Sequence, residues 1–245
     1  MKKYKYKNLF FINEDRIALK AASKIVPYIL KNIDIKSVID VGCGTASWLY
    51  IFKKNGILNI LGLDSHKNIS SLRISQEEFM NKNLENEIIS DKFYDLAISL
   101  EVAEHINPKH SIHFISDLCR LSNIILFSAA TPGQGGENHI NENPLDYWRI
   151  IFRENGYYPY DVIRNEFASE QDIAPWYRFN TILYVKEEGK LRLSRSFLKK
   201  FVSDKESLKS YDTFFWRLRR LILRNLPRKL VNLLSKINTI IINLF

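Results

Sequence analysis

The stretch VIDVGCGTAS, Val38 to Ser47, sets the β-favouring residues Val38, Ile39 and Val41 around Asp40 and follows them at once with Gly42 and Gly44. Two glycines one residue apart make either a plain strand-to-helix turn or a loop whose backbone lies against a ligand, where a Cβ would block the approach. The next apolar run, NILGLD from Asn59 to Asp64, favours the second. It ends on an acid twenty residues after Gly44, where a carboxylate can accept hydrogen bonds from both hydroxyls of a ribose. A dinucleotide fingerprint would add a third glycine where this chain has Ser47. Asp40, two residues ahead of the first glycine, would repel a pyrophosphate and help hold a cationic ligand.

Strands and helices alternate on both sides of this loop. Residues 14–31 carry Ile17, Ala21, Ile25 and Ile29 at helical spacing despite Pro27. Residues 37–41, 58–63, 94–100, 123–128 and 180–186 read as strands and 72–79 as a weaker one, while 45–54, 108–120 and 146–154 read as helices. Such an alternation predicts an α/β, doubly wound, mostly parallel sheet, with ligands outside the carboxyl ends of its strands.

With 245 residues, 46% of them hydrophobic, the chain can bury one good-sized core plus an appendage. Two cysteines, Cys43 and Cys119, exclude a disulfide framework and point to a reducing, cytoplasmic home. The opening MKKYKYKNLFFINED starts with positive charge, but its apolar part ends too soon for a signal peptide, and the nine-residue apolar end, Ile237 to Phe245, is too short to span a bilayer. Residues 1–189 hold 22 Lys+Arg against 24 Asp+Glu, whereas residues 190–245 hold 14 against 3, so the net charge of +9 belongs to the tail. This step is the expected boundary between a domain at 1–189 and a basic helical extension at 190–245.

The run DVGCGTA closely resembles the first motif of the class I S-adenosylmethionine-dependent methyltransferases. FYDLAISLEVAEHI, Phe93 to Ile106, looks like the fourth strand and following loop of that superfamily. LFSAATPGQGGENHINENPLDYWRIIFRENGY, Leu126 to Tyr157, and APWYRFNTILYV, Ala174 to Val185, are similar to a subgroup of small bacterial methyltransferases linked with sugar or polysaccharide modification. The resemblance covers roughly residues 36–186, and its motifs in order are far more specific than the glycine loop alone. It implies a seven-stranded Rossmann-like methyltransferase fold and S-adenosylmethionine as cofactor, held by Asp40, Gly42, Gly44, Asp64 and Glu101. Where the superfamily usually places an acid against the adenine amino group, this chain aligns Asn83, whose side-chain oxygen can accept the same bond or serve an ordinary turn.

Methyl transfer from a sulfonium already has an excellent leaving group, so alignment supplies much of the catalysis and the protein must remove one proton from the acceptor. His139, in the loop after the fifth strand, and His105, after the fourth, are the candidate general bases beside Glu101, Glu104, Glu137 and Glu142. His105, His110 and His113 lack a cysteine or a clear fourth ligand, so no metal is expected. Cys43 has no paired base nearby in sequence, and TPGQGG, Thr131 to Gly136, lacks the lysine of a phosphate loop and reads as a flexible lid or an acceptor-site loop. Trp148 and Tyr177, with Tyr147 and Trp176, read first as packing and second as a stacking surface for a sugar ring.

The resemblance thus implies O-methylation of a sugar, saccharide or similar polar small molecule; a non-catalytic S-adenosylmethionine-binding or RNA-associated module is the alternative. The tail lacks RNA-binding motifs and the rest is slightly acidic, so nucleic acid is not an expected partner. TFFWRLRRLILRNL, residues 213–226, instead sets Phe214, Phe215, Leu218, Leu221 and Ile222 near one helical face, with Arg217, Arg220 and Arg224 on the opposite side and its borders, before Pro227 and a second apolar-basic segment. Such a helix can dock residues 213–245 on an anionic membrane, making the protein peripheral at its inner face. Packing on the domain or against a second subunit stays open, because an apolar stripe does not separate lipid from protein.

Overall fold

The computed structural model describes residues 8–65 and 71–242. The basic opening, residues 1–7, and the last three residues of the apolar end lie outside them. Among the described residues no helix is long and apolar enough to cross a membrane.

Seven strands, β1 (Ser37–Val41), β2 (Asn59–Asp64), β3 (Phe79–Asn81), β4 (Leu96–Leu100), β5 (Ile124–Ser128), β6 (Tyr158–Tyr160) and β7 (Ile182–Val185), form one sheet in the order β3-β2-β1-β4-β5-β7-β6. The first five strands are parallel, and β7 runs antiparallel between β5 and β6. This is the doubly wound, mostly parallel Rossmann-like arrangement that the sequence predicts. The chain order reverses between β1 and β4, so their carboxyl ends diverge and leave a crevice there.

Helices cover both faces, which is why the parallel strands read as unbroken apolar runs. Val38 of β1 and Leu96 and Ile98 of β4 face one core, shared with α1 (Asn8–Asn32) and α2 (Ser47–Lys54). Ile39, Val41 and Ala97 face the other, shared with α3 (Ser111–Leu121) and α4 (Leu145–Glu154). There the Phe152 ring stacks on Tyr184 at 3.9 Å, and Trp148, 1% exposed, packs against Phe127. Truncating such a buried aromatic to alanine typically costs about 3–5 kcal/mol.

One local expectation changes and two elements lie outside those read in the sequence. The strand expected over 72–79 is only Phe79–Asn81, because Ser75 and Glu78 close a capping box that winds Gln76–Glu78 into a 3-10 turn. Tyr158–Tyr160 is an edge strand despite Pro159; β7 is its single strand partner in the sheet. Residues Pro175–Asn180 form a short helix, α5, ahead of β7.

The charge step at 189/190 is not where the chain leaves the core. Phe197, in the short helix α6 (Arg195–Leu198), is 1% exposed, the Lys200 carbonyl accepts from Asp161, and the buried Arg149 donates to the carbonyls of Ser203 and Glu206 at 2.6 Å. Two further helices, α7 (Phe214–Arg224) and α8 (Arg228–Ile242), follow.

Candidate active site

The glycine loop lies at the crevice. Gly42 sits at φ 90°, and a Cβ there would come within 2.3 Å of Val102 Cγ2, so glycine lets the loops after β1 and β4 meet. The Gly44 amide donates to Asp64 Oδ2 at 2.9 Å, and a Cβ on Gly44 would meet only open space. Asp15 of α1 braces the loop from behind. Thr45 and Ser47 each donate to its Oδ1 at 2.7 Å, and the Arg73 guanidinium grips the same carboxylate. Burial alone would raise this carboxyl, but the hydrogen bonds from Arg73, Ser47 and Thr45 hold it below the usual range.

Acids crowd the same crevice. Asp40 is 3% exposed; burial and then the Asp64 charge push its carboxyl well above the ordinary value. Glu14 is raised to about 7 by burial and Glu101. Glu101, at the strained φ of 58°, is also raised by burial while Gln134 Nε2 donates to its Oε2 at 2.6 Å. Asn180 locks this pair, donating to Gln134 Oε1 at 2.7 Å. Tyr177, 5% exposed, lies in the field of Glu14, Glu101 and Asp40 with its ring 5.5 Å from that of Trp48. Acids destabilised by burial and mutual repulsion match a cationic ligand and disfavour a phosphate. Together with the open face of Gly44, this donor set fits a nucleoside carrying a sulfonium and an amino acid, whose ribose would meet Asp64.

Asn83 occupies the expected place just after β3, but it is exposed and its side-chain oxygen accepts from the Glu85 amide at 3.2 Å. The Cys43 thiol is pushed well up by burial and the nearby Asp40 and Asp64, which rules it out as a ready nucleophile.

The loop after β5 folds its histidine over this crevice. Glu142 accepts the Gly133 and Gly135 amides at 2.8 and 3.0 Å and meets His139 Nδ1 at 3.0 Å. Burial would raise Glu142, but His139 and the two amides hold it below the carboxylate norm. A Cβ on Gly136 would stand 2.0 Å from His139 Nε2, so glycine makes the seat of that ring. His105 crosses it edge-on at 4.9 Å and is pushed down to about 3 by burial and then by His139, so His105 stays neutral near pH 7. Its Nδ1 lies 3.3 Å from the Asn138 carbonyl.

Ligand atoms of Glu104, His105 and His139 lie within 4.8 Å of one another. The Glu104 side chain is fully buried, without a hydrogen bond of ordinary geometry to either oxygen. The sequence argument against a metal weighed His105, His110 and His113; His110 and His113 are not in this group, and His113 instead faces Asp117 at 3.7 Å on α3.

The tail completes the site. Arg220 donates through Nε and Nη2 to the Pro132 carbonyl at 3.2 Å, Arg219 donates to the Gln134 carbonyl, and the Asn138 amide donates to Asn232 Oδ1 at 3.2 Å. A Cβ on Gly133 would stand 2.3 Å from the Arg220 carbonyl oxygen. Between this loop and the two tail helices lies a cleft of about 420 Å³, lined by His139, Glu142, Asn143, Arg224, Arg228 and Asn232 among others. Glu14, Asp15, Gln134, Asn180 and the tail were missed as site residues, because their partners lie 30 to 94 positions away in sequence.

Residues 13–172 match a family model described as a methyltransferase domain. A mitochondrial ubiquinone biosynthesis O-methyltransferase of Dictyostelium discoideum is 32% identical over 110 residues, covering 38% of this chain and 34% of that protein. The chain thus spans about a third of that relative. Among solved structures, magnesium protoporphyrin IX methyltransferase from Synechocystis PCC 6803 with bound SAM superposes with a TM-score of 0.52 at 18% identity, over 76% of this chain and 87% of that one. The sugar N-methyltransferase KedS8 from Streptoalloteichus sp ATCC 53650 gives 0.54 at 10% identity, over 76% and 96%. At these identities the two structures share the fold.

Proposed function

The chain belongs to the methyltransferase-domain family, and on that premise we propose that it methylates, from S-adenosylmethionine, a hydroxyl of a sugar, saccharide or similarly polar small molecule, with His139 taking the hydroxyl proton. When bound, S-adenosylmethionine supplies a methyl group on a cationic sulfur that departs as a neutral thioether. Asp64 would accept from its ribose, while Asp40, Glu14 and Glu101, once ionised, would supply the negative field that matches the sulfonium and ammonium charges. His139 presents Nδ1 to Glu142, which leaves Nε2 to accept the proton. The amides of Gly133 and Gly135 fix Glu142, so the imidazole is oriented before an acceptor arrives.

The observation that carries this reading is the His139–Glu142 pair seated by the glycine loop on a polar cleft. The cleft's Asn143, Asn232, Arg224 and Arg228 offer the amides and cations that a polyhydroxy acceptor uses. His139→Ala should lower turnover about 10²–10⁴-fold on an acceptor panel of sugar nucleotides and lipid-linked saccharides. Cofactor affinity, measured by calorimetry, should change little. Equal losses in both would make His139 a binding or folding residue and defeat the assignment of the base.

A further inference from the structure

Most surface helices bury an apolar stripe and show their charges to water. Helix α7 departs from this pattern. Its Arg219 and Arg220 turn inward to the carbonyls of Gln134 and Pro132, and Trp216 beside them is 9% exposed. Phe214, Phe215, Leu218, Leu221 and Ile222, 42–79% exposed, occupy an outer arc of roughly 120° at 100° per residue. Helix α8 continues the pattern. Val231 and Asn232 line the cleft, whereas Leu230, Leu233, Leu234 and Ile237 are 40–53% exposed. Nine large apolar side chains therefore stand in water on two consecutive helices, more than scattered exposure accounts for.

We propose that this outer face of α7 and α8 docks on an anionic lipid surface. Charge decides between lipid and a second copy. The exposed Arg217 and Lys229 border the apolar arc, and residues 213–245 contain no Asp or Glu. A two-fold contact between copies would set one acid-free basic face against another, which costs affinity, whereas an anionic leaflet complements it. The rings sink among the headgroups while the cations stay at their level, as in an interfacial amphipathic helix. Docking would also hold the cleft under these helices at the leaflet, where a lipid-linked acceptor is presented. That consequence rests on the methyl-transfer reading; the docking does not.

The test is co-sedimentation of the full chain with phosphatidylcholine vesicles made with and without phosphatidylglycerol. The protein should pellet with the anionic vesicles, and about 0.5 M salt, where screening acts over roughly 4 Å, should release most of it. Reversing Arg217 and Lys229 to Glu should weaken binding about fivefold or more per site. The double variant Phe214→Ser/Phe215→Ser should lose about tenfold or more. Its thermal midpoint and S-adenosylmethionine affinity should not move, because both rings already stand in water. Failure to pellet with anionic vesicles at low salt, or wild-type binding by the double variant, would overturn the proposal. So would a dimer that the double variant dissolves without any vesicle binding, which would assign the face to a second copy. None of these readouts depends on turnover, so they separate failure of docking from failure of the methyl-transfer reading.

Discussion

The two walls of the crevice are built on opposite plans. The cofactor wall is local: Asp40, Gly42, Gly44 and Asp64 fall within a few tens of residues, and the sheet register that pairs β1 with β2 sets the loop beside Asp64. The acceptor wall is assembled from afar: the loop bearing His139 is roofed by helices from beyond residue 213, whose Arg220 and Arg219 donate to the Pro132 and Gln134 carbonyls and whose Asn232 accepts from the Asn138 amide. Binding and proton removal should therefore fail separately, and each substitution that couples them weakens this division.

The largest effect belongs to the chain beyond residue 189. Ending it after Glu188 removes the buried Phe197 and strips Arg149 and Arg164 of their carbonyl partners; loss of the aromatic alone is worth about 3–5 kcal/mol, enough to unfold a marginal domain. Ending it after Asp212 removes the roof together with the packing of α8 on α1. Cofactor binding should survive that cut and turnover should fall sharply, as calorimetry and a product assay would report. Loss of cofactor binding as well would mean that the roof supports both walls.

Next comes a pair of glycines. Gly136→Ala should displace the His139 ring and lower turnover about 10²-fold with cofactor affinity kept, since the intruding Cβ meets the far end of a side chain. Gly44→Ala, at φ 53°, should do the reverse, weakening cofactor binding about tenfold while turnover at saturation stays within a factor of a few. Matching losses in both assays for either variant would erase the contrast.

The smallest effect is on pH. Because Glu14 is raised to about 7 in the folded protein, it contributes stability fully below its ordinary value near 4.5, and that contribution is lost as pH rises through about 7. A cationic ligand reverses the sign, since it is held best once Glu14 ionises. The preference for S-adenosylmethionine over its uncharged-sulfur product should therefore grow a few-fold between about pH 6 and 8. Glu14→Gln should flatten that dependence.

The same division explains what could be read in advance. The sheet and the cofactor loop show in the sequence because apolar runs and glycine spacing act over a few residues. Asn83 lies just after β3, and its acceptance of the Glu85 amide is the ordinary turn role that its residue type offered beside the adenine contact. β6 escaped because Pro159 argues against a strand unless it is known to lie at an edge, which is a property of the assembled sheet. Glu14 and Asp15 look like ordinary polar positions of a surface helix until the fold sets one beside Glu101 and the other against Thr45 and Ser47. The step in charge at residue 189 marked a change of composition, while packing follows Phe197 and Arg149 well past it.

The central claim is that the glycine loop and Asp64 hold S-adenosylmethionine, and calorimetric titration of that compound and of NAD into the wild-type protein and Asp64→Ala tests it most directly. The wild type should bind S-adenosylmethionine and not NAD. The variant should lose about 1–3 kcal/mol, since a carboxylate that would accept from two ribose hydroxyls is gone. Unchanged affinity in Asp64→Ala, or preferential binding of NAD by the wild type, would contradict the account.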